Sequence, residues 1–241
     1  MRGIAWRLGW ALGLLLVAGG IAAAEPGPGG FAFSPPPGWI DISRGAPETL
    51  RQKAPPALLA QAGNMAFVAY EPDSDADGFV ENMNAVVQTG KNPPLATPEL
   101  LVELTKALEK ELAPQGMTYR SLKREVVKVA GVTAGRLVGE LTAPNGHVNL
   151  VQYAIPGARA HAMLTFTTPP EKLAHYEPIF EAAAQATRGA VEPDARASVA
   201  LGSLSGAIVG GMAGAIGALF VLRGKRRRRD ALTKPAIPGP A

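Results

Sequence analysis

Residues 199–222 carry no charged side chain over 24 positions, and they are followed at once by Arg223, Lys225, Arg226, Arg227, Arg228 and Arg229. At a rise of 1.5 Å per residue, a helix of that length reaches about 36 Å, enough to cross a hydrocarbon core of roughly 30 Å with some tilt. Ten of its residues are Leu, Ile, Val or Phe, each favouring insertion by about 0.3–0.6 kcal/mol near the helix centre. Six glycines and two serines weaken that gain. They weaken the alternative of a buried soluble helix more, because each Gly costs about 1 kcal/mol there. The segment therefore predicts a C-terminal transmembrane helix. A basic cluster directly after a span is retained on the cytoplasmic side, so residues 223–241 are expected to form a short cytoplasmic tail.

Gly202, Gly206, Gly210, Gly214 and Ala218 recur every four positions through this segment. On a 3.6-residue helix, successive members are displaced by only about 40°. They would form one slowly winding groove in which a second backbone can approach closely. Self-association, or association with another protein's helix, is the expectation. Helices followed by arginines also resemble C-terminal sorting signals removed by a membrane protease. Here residues 191–195 match no LPxTG-like motif, the chain has no cysteine, and twelve residues follow Arg229. Permanent anchoring is the favoured reading.

The N-terminus points to the same topology. Arg2 and Arg7 supply a positive start, residues 8–21 are uncharged and mostly apolar, and Ala22, Ala23 and Ala24 are small residues of the kind a signal peptidase reads. About 14 apolar residues are few for a span of roughly 20, so a cleaved signal peptide over 1–24 is expected in preference to an uncleaved anchor. Between them, the two signals put residues 25–198 outside the cytoplasm, at the plasma (inner) membrane of a bacterial cell.

The formal net charge of +4 belongs to the ends. Residues 25–198 hold 15 Lys and Arg against 19 Asp and Glu, whereas a nucleic-acid-binding domain should carry its positive charge on the folded part. Nucleic acid is set aside. The absence of cysteine excludes disulfides, thiolate metal sites and cysteine nucleophiles together. The exported part must hold together by burial alone.

Its pattern reads as α+β. Residues 25–30, rich in Pro and Gly, form a lead-in to a domain over 31–190, and residues 191–198 form a juxtamembrane linker. Residues 31–33 and 39–42 predict a strand broken by Pro35, Pro36, Pro37 and Gly38. A helical stretch over 48–62 is interrupted at Pro55 and Pro56. Strands are expected at 65–70 and 81–88. A helix over 98–113 has Thr97 as N-cap and Pro98 at its first position, with Leu101, Leu104, Leu108 and Leu112 on one face. Four strands follow at 118–129, 133–142, 147–155 and 159–166, joined by tight turns, of which Asn145-Gly146 is the clearest hairpin signal. That run makes an antiparallel meander. Thr168 and Glu171 have capping-box spacing, opening a last helix through Thr187 that Pro178 should bend or restart.

Three short segments carry a resemblance. Phe33-Ser34-Pro35-Pro36-Pro37-Gly38-Trp39 resembles the aromatic-Pro-Gly-Trp opening of PsbP-like domains. Residues 78–87, with Asn82, Met83 and Asn84, look like the Asn-x-Asn-hydrophobic strand of that family, and Tyr176-Glu177-Pro178-Ile179-Phe180 resembles the start of its closing helix. The resemblance covers roughly residues 31–189. It implies an α/β/α sandwich with a mainly antiparallel sheet. It also implies a domain that acts mostly by binding protein partners, as do a photosystem subunit and a Ran-binding transport factor of that fold. It brings no catalytic residues.

Chemistry-bearing motifs are few. Asp73, Asp75, Asp77 and Gly78 match the first half of a calcium loop, with Glu81 at the ninth position, but Asn84 stands at the twelfth, where a bidentate Glu is required. An acidic surface turn is the better reading, and no metal is expected. His147, His161 and His175 lack metal-ligand spacing and are expected at an edge or the surface. Asn82 and Asn84 should share one side of a strand and hydrogen-bond a neighbouring loop. No catalytic residue and no cofactor is expected. The sequence favours a non-catalytic, membrane-anchored extracytoplasmic adaptor for a protein partner in the cell envelope. A tethered small-molecule or lipid-binding domain is the alternative.

Overall fold

A computed structural model describes residues 27–72, 79–89, 96–144 and 146–193. The expected signal peptide over 1–24, the expected span over 199–222 with Gly202, Gly206, Gly210, Gly214 and Ala218, the basic residues from Arg223 to Arg229, and Asp73, Asp75 and Asp77, where an acidic turn is expected, lie outside the described residues. Among the described residues no helix is long and apolar enough to cross a membrane.

Seven strands among the described residues form one sheet. They are β1 (Ile40–Asp41), β2 (Phe67–Tyr70), β3 (Asn82–Thr89), β4 (Thr118–Val129), β5 (Val132–Ala143), β6 (Gly146–Pro156) and β7 (Ala160–Thr168). Their order is β1-β2-β3-β7-β6-β5-β4, and every pairing is antiparallel. The hairpins β4–β5, β5–β6 and β6–β7 are the expected meander. β7 then closes against β3, Asn84 opposite Thr165, a pairing that joins residues about eighty positions apart.

The described residues also form four α-helices, α1 (Glu48–Arg51), α2 (Pro56–Ala62), α3 (Pro98–Leu112) and α4 (Leu173–Gln185). The split between α1 and α2 falls at Pro55 and Pro56, where a ring clashes with the preceding turn. Thr97 caps α3, its Oγ1 accepting from Leu100 N at 3.2 Å. Leu101, Leu104, Leu108 and Leu112 are all buried, packed on Leu137, Leu141, Leu150 and Met163 of the sheet. α2 covers the same face farther along, setting Leu58 and Ala62 against Val68 and Tyr70. α4 covers the other face, where Phe180 stacks on Phe166 at 4.5 Å between centroids. The described residues thus form three layers, helix on sheet on helix, with a hydrophobic core on each side of the sheet.

Two glycines of β5 let those layers close. A Cβ on Gly135 would stand 2.6 Å from Leu101 Cδ2, and one on Gly139 would stand 2.2 Å from the ring of Tyr119. The β4–β5 turn uses Ala130 at φ 49° and Gly131 at φ 84°. Positive φ at both central positions is the hairpin geometry that matches strand twist.

Four expectations are corrected. Residues 31–33 do not form a strand; Ala32 makes a single bridge to Arg188, because the segment crosses the end of the sheet instead of running along an edge. Thr168 does not cap a helix. It ends β7 opposite Asn149, Pro169 and Pro170 follow, and a 3-10 turn over Pro170–Lys172 precedes α4. α4 runs on through Pro178 without restarting; the missing N–H removes one helical bond, and packing on the sheet outweighs it. His161 is neither at an edge nor at the surface. It is 5% exposed, because β7 is a central strand covered on both faces, while His147 and His175 are exposed.

Candidate functional site

The Pro-rich opening forms one wall of a surface groove. Pro36, Pro37, Gly38 and Trp39 make a turn in which Trp39 N donates to Pro36 O at 3.1 Å. Gly38 sits at φ 85°, the positive φ that the third residue of a type II turn requires. The turn drives the Trp39 ring into the core, edge-on to Tyr176 at 6.5 Å and to Phe180 at 6.2 Å. Met83 of β3 belongs to the same buried cluster. The three segments that carry the family resemblance therefore meet in one core.

Above Trp39, Pro37 is exposed and Pro35 half-buried, while Pro36 is buried. Ser34, Pro35, Pro36 and Pro37 face Pro178, Ile179, Ala182, Ala183 and Ala186 of α4 across an open groove of about 350 Å³. Nearly every group lining it is aliphatic. Proline rings and alanine methyls have little or no rotamer entropy to lose, so both walls are pre-shaped.

α4 is held against the sheet along its length. Arg136, in the middle of β5, reaches through to it: Nη2 donates to Glu177 and Nη1 to Glu125 of β4, while Nε donates to Tyr153 Oη at 3.3 Å. Hydrogen bonding to Arg136 holds the Glu177 carboxyl below the usual carboxylate range, and Lys123 at 3.3 Å adds to this. Burial opposes the charge on Arg136, but its three partners keep the guanidinium protonated. Tyr176 donates from its hydroxyl to Glu71, and Lys172 Nζ donates to the fully buried Glu81 at 3.0 Å. At the far end Gln185 donates to Lys128 O at 2.7 Å and accepts from Ala130 N at 2.9 Å.

A second cluster lies on the opposite face of the sheet, between α2 and α3. Asn84, Thr165 and Gln152 are neighbours across β3, β7 and β6, and Asn82 and Thr167 make the next row. All five are at most 1% exposed. Gln152 Nε2 donates to Thr165 Oγ1 at 3.3 Å and Asn82 Nδ2 to Val80 O at 3.2 Å. Both polar atoms of the Asn84 amide, Asn82 Oδ1, Gln152 Oε1 and Thr167 Oγ1 have no hydrogen-bond partner among the described residues. Asn82 and Asn84 do share a side, as the alternation requires. Asn84, however, bonds no loop among the described residues.

Among the described residues no group of three or more His, Asp or Glu side chains could hold a metal ion. Glu81, the ninth position of the partial calcium motif, is committed to Lys172, and Asn84, the twelfth, is inside the sheet. Neither the groove nor the Arg136 network was legible as a site. Arg136 left one signal, a charge among apolar neighbours on β5.

The fold and the groove define an α/β/α sandwich on a seven-stranded antiparallel sheet, with an apolar surface cleft beside its last helix. No family model and no curated protein sequence matches the chain. Among solved structures it is similar to cyanobacterial PsbP (CyanoP) from Synechocystis sp. PCC 6803, at 15% identity over 66% of this chain and 86% of that one, with a TM-score of 0.45. It is also similar to LpqN, involved in cell envelope biogenesis of Mycobacterium tuberculosis, at 13% identity over 68% and 86% with a TM-score of 0.43. A third is PA94 from Pseudomonas aeruginosa, a protein of unknown function, at 20% identity over 49% and 78% with a TM-score of 0.36. The first of these carries the family name that the sequence motifs suggest.

Proposed function

We propose that this chain is a non-catalytic, single-pass membrane protein whose extracytoplasmic domain binds a protein partner in the cell envelope through the groove between Pro35–Pro37 and α4. The supporting observation is the groove itself: open, aliphatic and walled by groups that lose little entropy on contact. Burying a partner's apolar side chain against such a surface is favourable. The charge-free stretch over 199–222 and the arginines after it supply the anchor, with the domain outside and the tail inside. The glycine ladder from Gly202 to Ala218 supplies an association face within the bilayer.

Photo-crosslinking tests the reading. A benzophenone amino acid at Ala182, exposed on the groove wall, should yield a discrete protein adduct in intact cells, and the same probe at exposed Lys110 on α3 should not. Equal adducts at both positions would overturn the groove as the site. Protease added to spheroplasts should remove the domain and spare the tail; recovery of the protein in a soluble periplasmic fraction would overturn the anchor. For the ladder, Gly206→Ile with Gly210→Ile should abolish self-association of the span in a membrane two-hybrid assay.

One observation favours a second reading, a tethered small-molecule-binding domain. The buried amides and hydroxyls of Asn82, Asn84, Gln152 and Thr167 have the mixed donor and acceptor character by which a pocket recognises an uncharged polar ligand.

A further inference from the structure

We propose that the domain stands on the bilayer by one end of its sheet, the end carrying the β4–β5 and β6–β7 turns, and that Arg159 and Arg188 at this end contact anionic lipid headgroups. The inference rests on the membrane anchoring proposed above and adds the orientation and the lipid class.

The tether is fixed before it leaves the domain. Ala32 and Arg188 exchange both backbone hydrogen bonds, at 3.1 and 2.9 Å. Ala190 bridges to Gly157, and Val191 N donates to Pro156 O at 3.0 Å. The Glu192 carboxylate accepts from Thr133 N at 2.6 Å and lies 3.7 Å from Lys128 Nζ. Pro156 and Gly157 open the β6–β7 turn, while Lys128 and Thr133 flank the β4–β5 turn. The chain is thus held to one end of the sheet as far as Glu192.

Length then decides orientation. Five residues separate Pro193 from Val199, the first residue of the charge-free stretch, and a fully extended chain spans at most about 3.6 Å per residue. This end of the sheet therefore lies within about 20 Å of the hydrocarbon core, part of which the headgroup layer fills. β5 runs over 12 residues, so the opposite end stands about 40 Å farther out when the strands are upright. The N-terminal segment meets the same end: a Cβ on Gly29 would stand 2.6 Å from Ala160 Cβ.

The charge at this end suits an anionic surface. Arg159, in the β6–β7 turn, and Arg188, after α4, are exposed. The one acid in the described part of the tether, Glu192, is already held by Thr133 and Lys128. Basic side chains beside a membrane anchor are attracted to anionic lipid over about a Debye length. The same orientation puts the Ala186 end of the groove near the bilayer, within reach of a membrane-embedded partner.

Because the chain has no cysteine, single labels are clean. Ala158→Cys marks the near end and Pro144→Cys the far end, both exposed positions. The full chain, labelled at one or the other, is reconstituted in phosphatidylcholine vesicles carrying a headgroup acceptor, with and without phosphatidylglycerol. Energy transfer should be several-fold stronger from position 158 than from 144. Phosphatidylglycerol should raise the transfer from 158, and Arg159→Glu with Arg188→Glu should remove that rise, while each variant keeps its melting temperature to show that it folds. Equal transfer from the two ends would overturn the orientation. A signal from 158 that ignores both phosphatidylglycerol and the reversals would overturn the headgroup contact. Alkaline carbonate extraction of the same samples separates the causes: release of the chain refutes the anchor, whereas retention with equal transfer refutes only the orientation.

Discussion

The guanidinium of Arg136 on β5 donates to the carboxylate of Glu177 on α4, tying the sheet to the helix that walls the groove. Arg136 is almost buried, its side chain 11% exposed, and Glu177 is 29% exposed. Removing one partner of such a pair leaves a charge under-compensated. Because Glu125 remains and Glu177 is partly solvated, Glu177→Gln should cost only about 1–2 kcal/mol at pH 7. The acid limb carries the sign. The folded carboxyl titrates below the unfolded one, so its contribution is present above the ordinary Glu range of about 4.3 and is lost as pH falls through the lowered value. Melting curves from pH 7 to pH 3 should show a shallower acid limb for Glu177→Gln than for the natural chain.

His161 should add a separate step at higher pH. Burial lowers its pKa below the ordinary histidine value of about 6.5. Below about pH 6.5 the unfolded chain takes up a proton that the folded chain refuses. Stability is therefore lost as pH falls from there toward the lowered folded value. His161→Gln should remove this step from the pH profile of the melting temperature and leave the Glu177 step in place.

Gly139→Ala tests the close contact of β4 with β5. The added methyl would overlap the ring of Tyr119 at 2.2 Å, and Tyr119 is itself buried between α3 and the sheet. Overpacking of this kind costs about 1–3 kcal/mol. Adding Tyr119→Leu should recover part of the loss, and a denaturant-melt double-mutant cycle measures that coupling.

Asn84→Leu separates structure from ligand binding at the polar rows. The Asn84 amide has no hydrogen-bond partner among the described residues, so an apolar replacement of the same branched shape relieves an unpaired polar group while its two methyls add volume to a fully buried site; the two effects should leave stability within about 1 kcal/mol of that of the natural chain. A loss above about 2 kcal/mol in urea would show that the amide is bonded in solution. A stable variant with an altered cellular phenotype would favour the small-molecule reading.

Much of the fold was legible because its signals are local. The α3 stripe of Leu101, Leu104, Leu108 and Leu112, the Thr97 cap and the break at Pro55-Pro56 each depend on residues within a turn or two of one another. The meander from β4 to β7 follows for the same reason, since short connections leave adjacent strands little choice but to pair. The proposed anchor likewise rests on sequence alone, because spanning a bilayer demands only a long enough run of uncharged residues and a charge bias at its end.

Tertiary structure decided the rest. That β3 closes on β7 is a long-range pairing with no local mark, and it turns β7 into a central strand and buries His161. Thr168 and Glu171 have capping spacing, yet the β7 ladder holds Thr168 and two prolines delay the helix; sheet pairing prevailed over a local propensity worth about 1 kcal/mol. The groove exists only because Trp39 and Phe180, distant in sequence, pack edge to face and leave prolines and alanines as facing walls. A pattern along the chain records which residues want burial; which of them meet, and what stays open between them, is set by how whole layers pack.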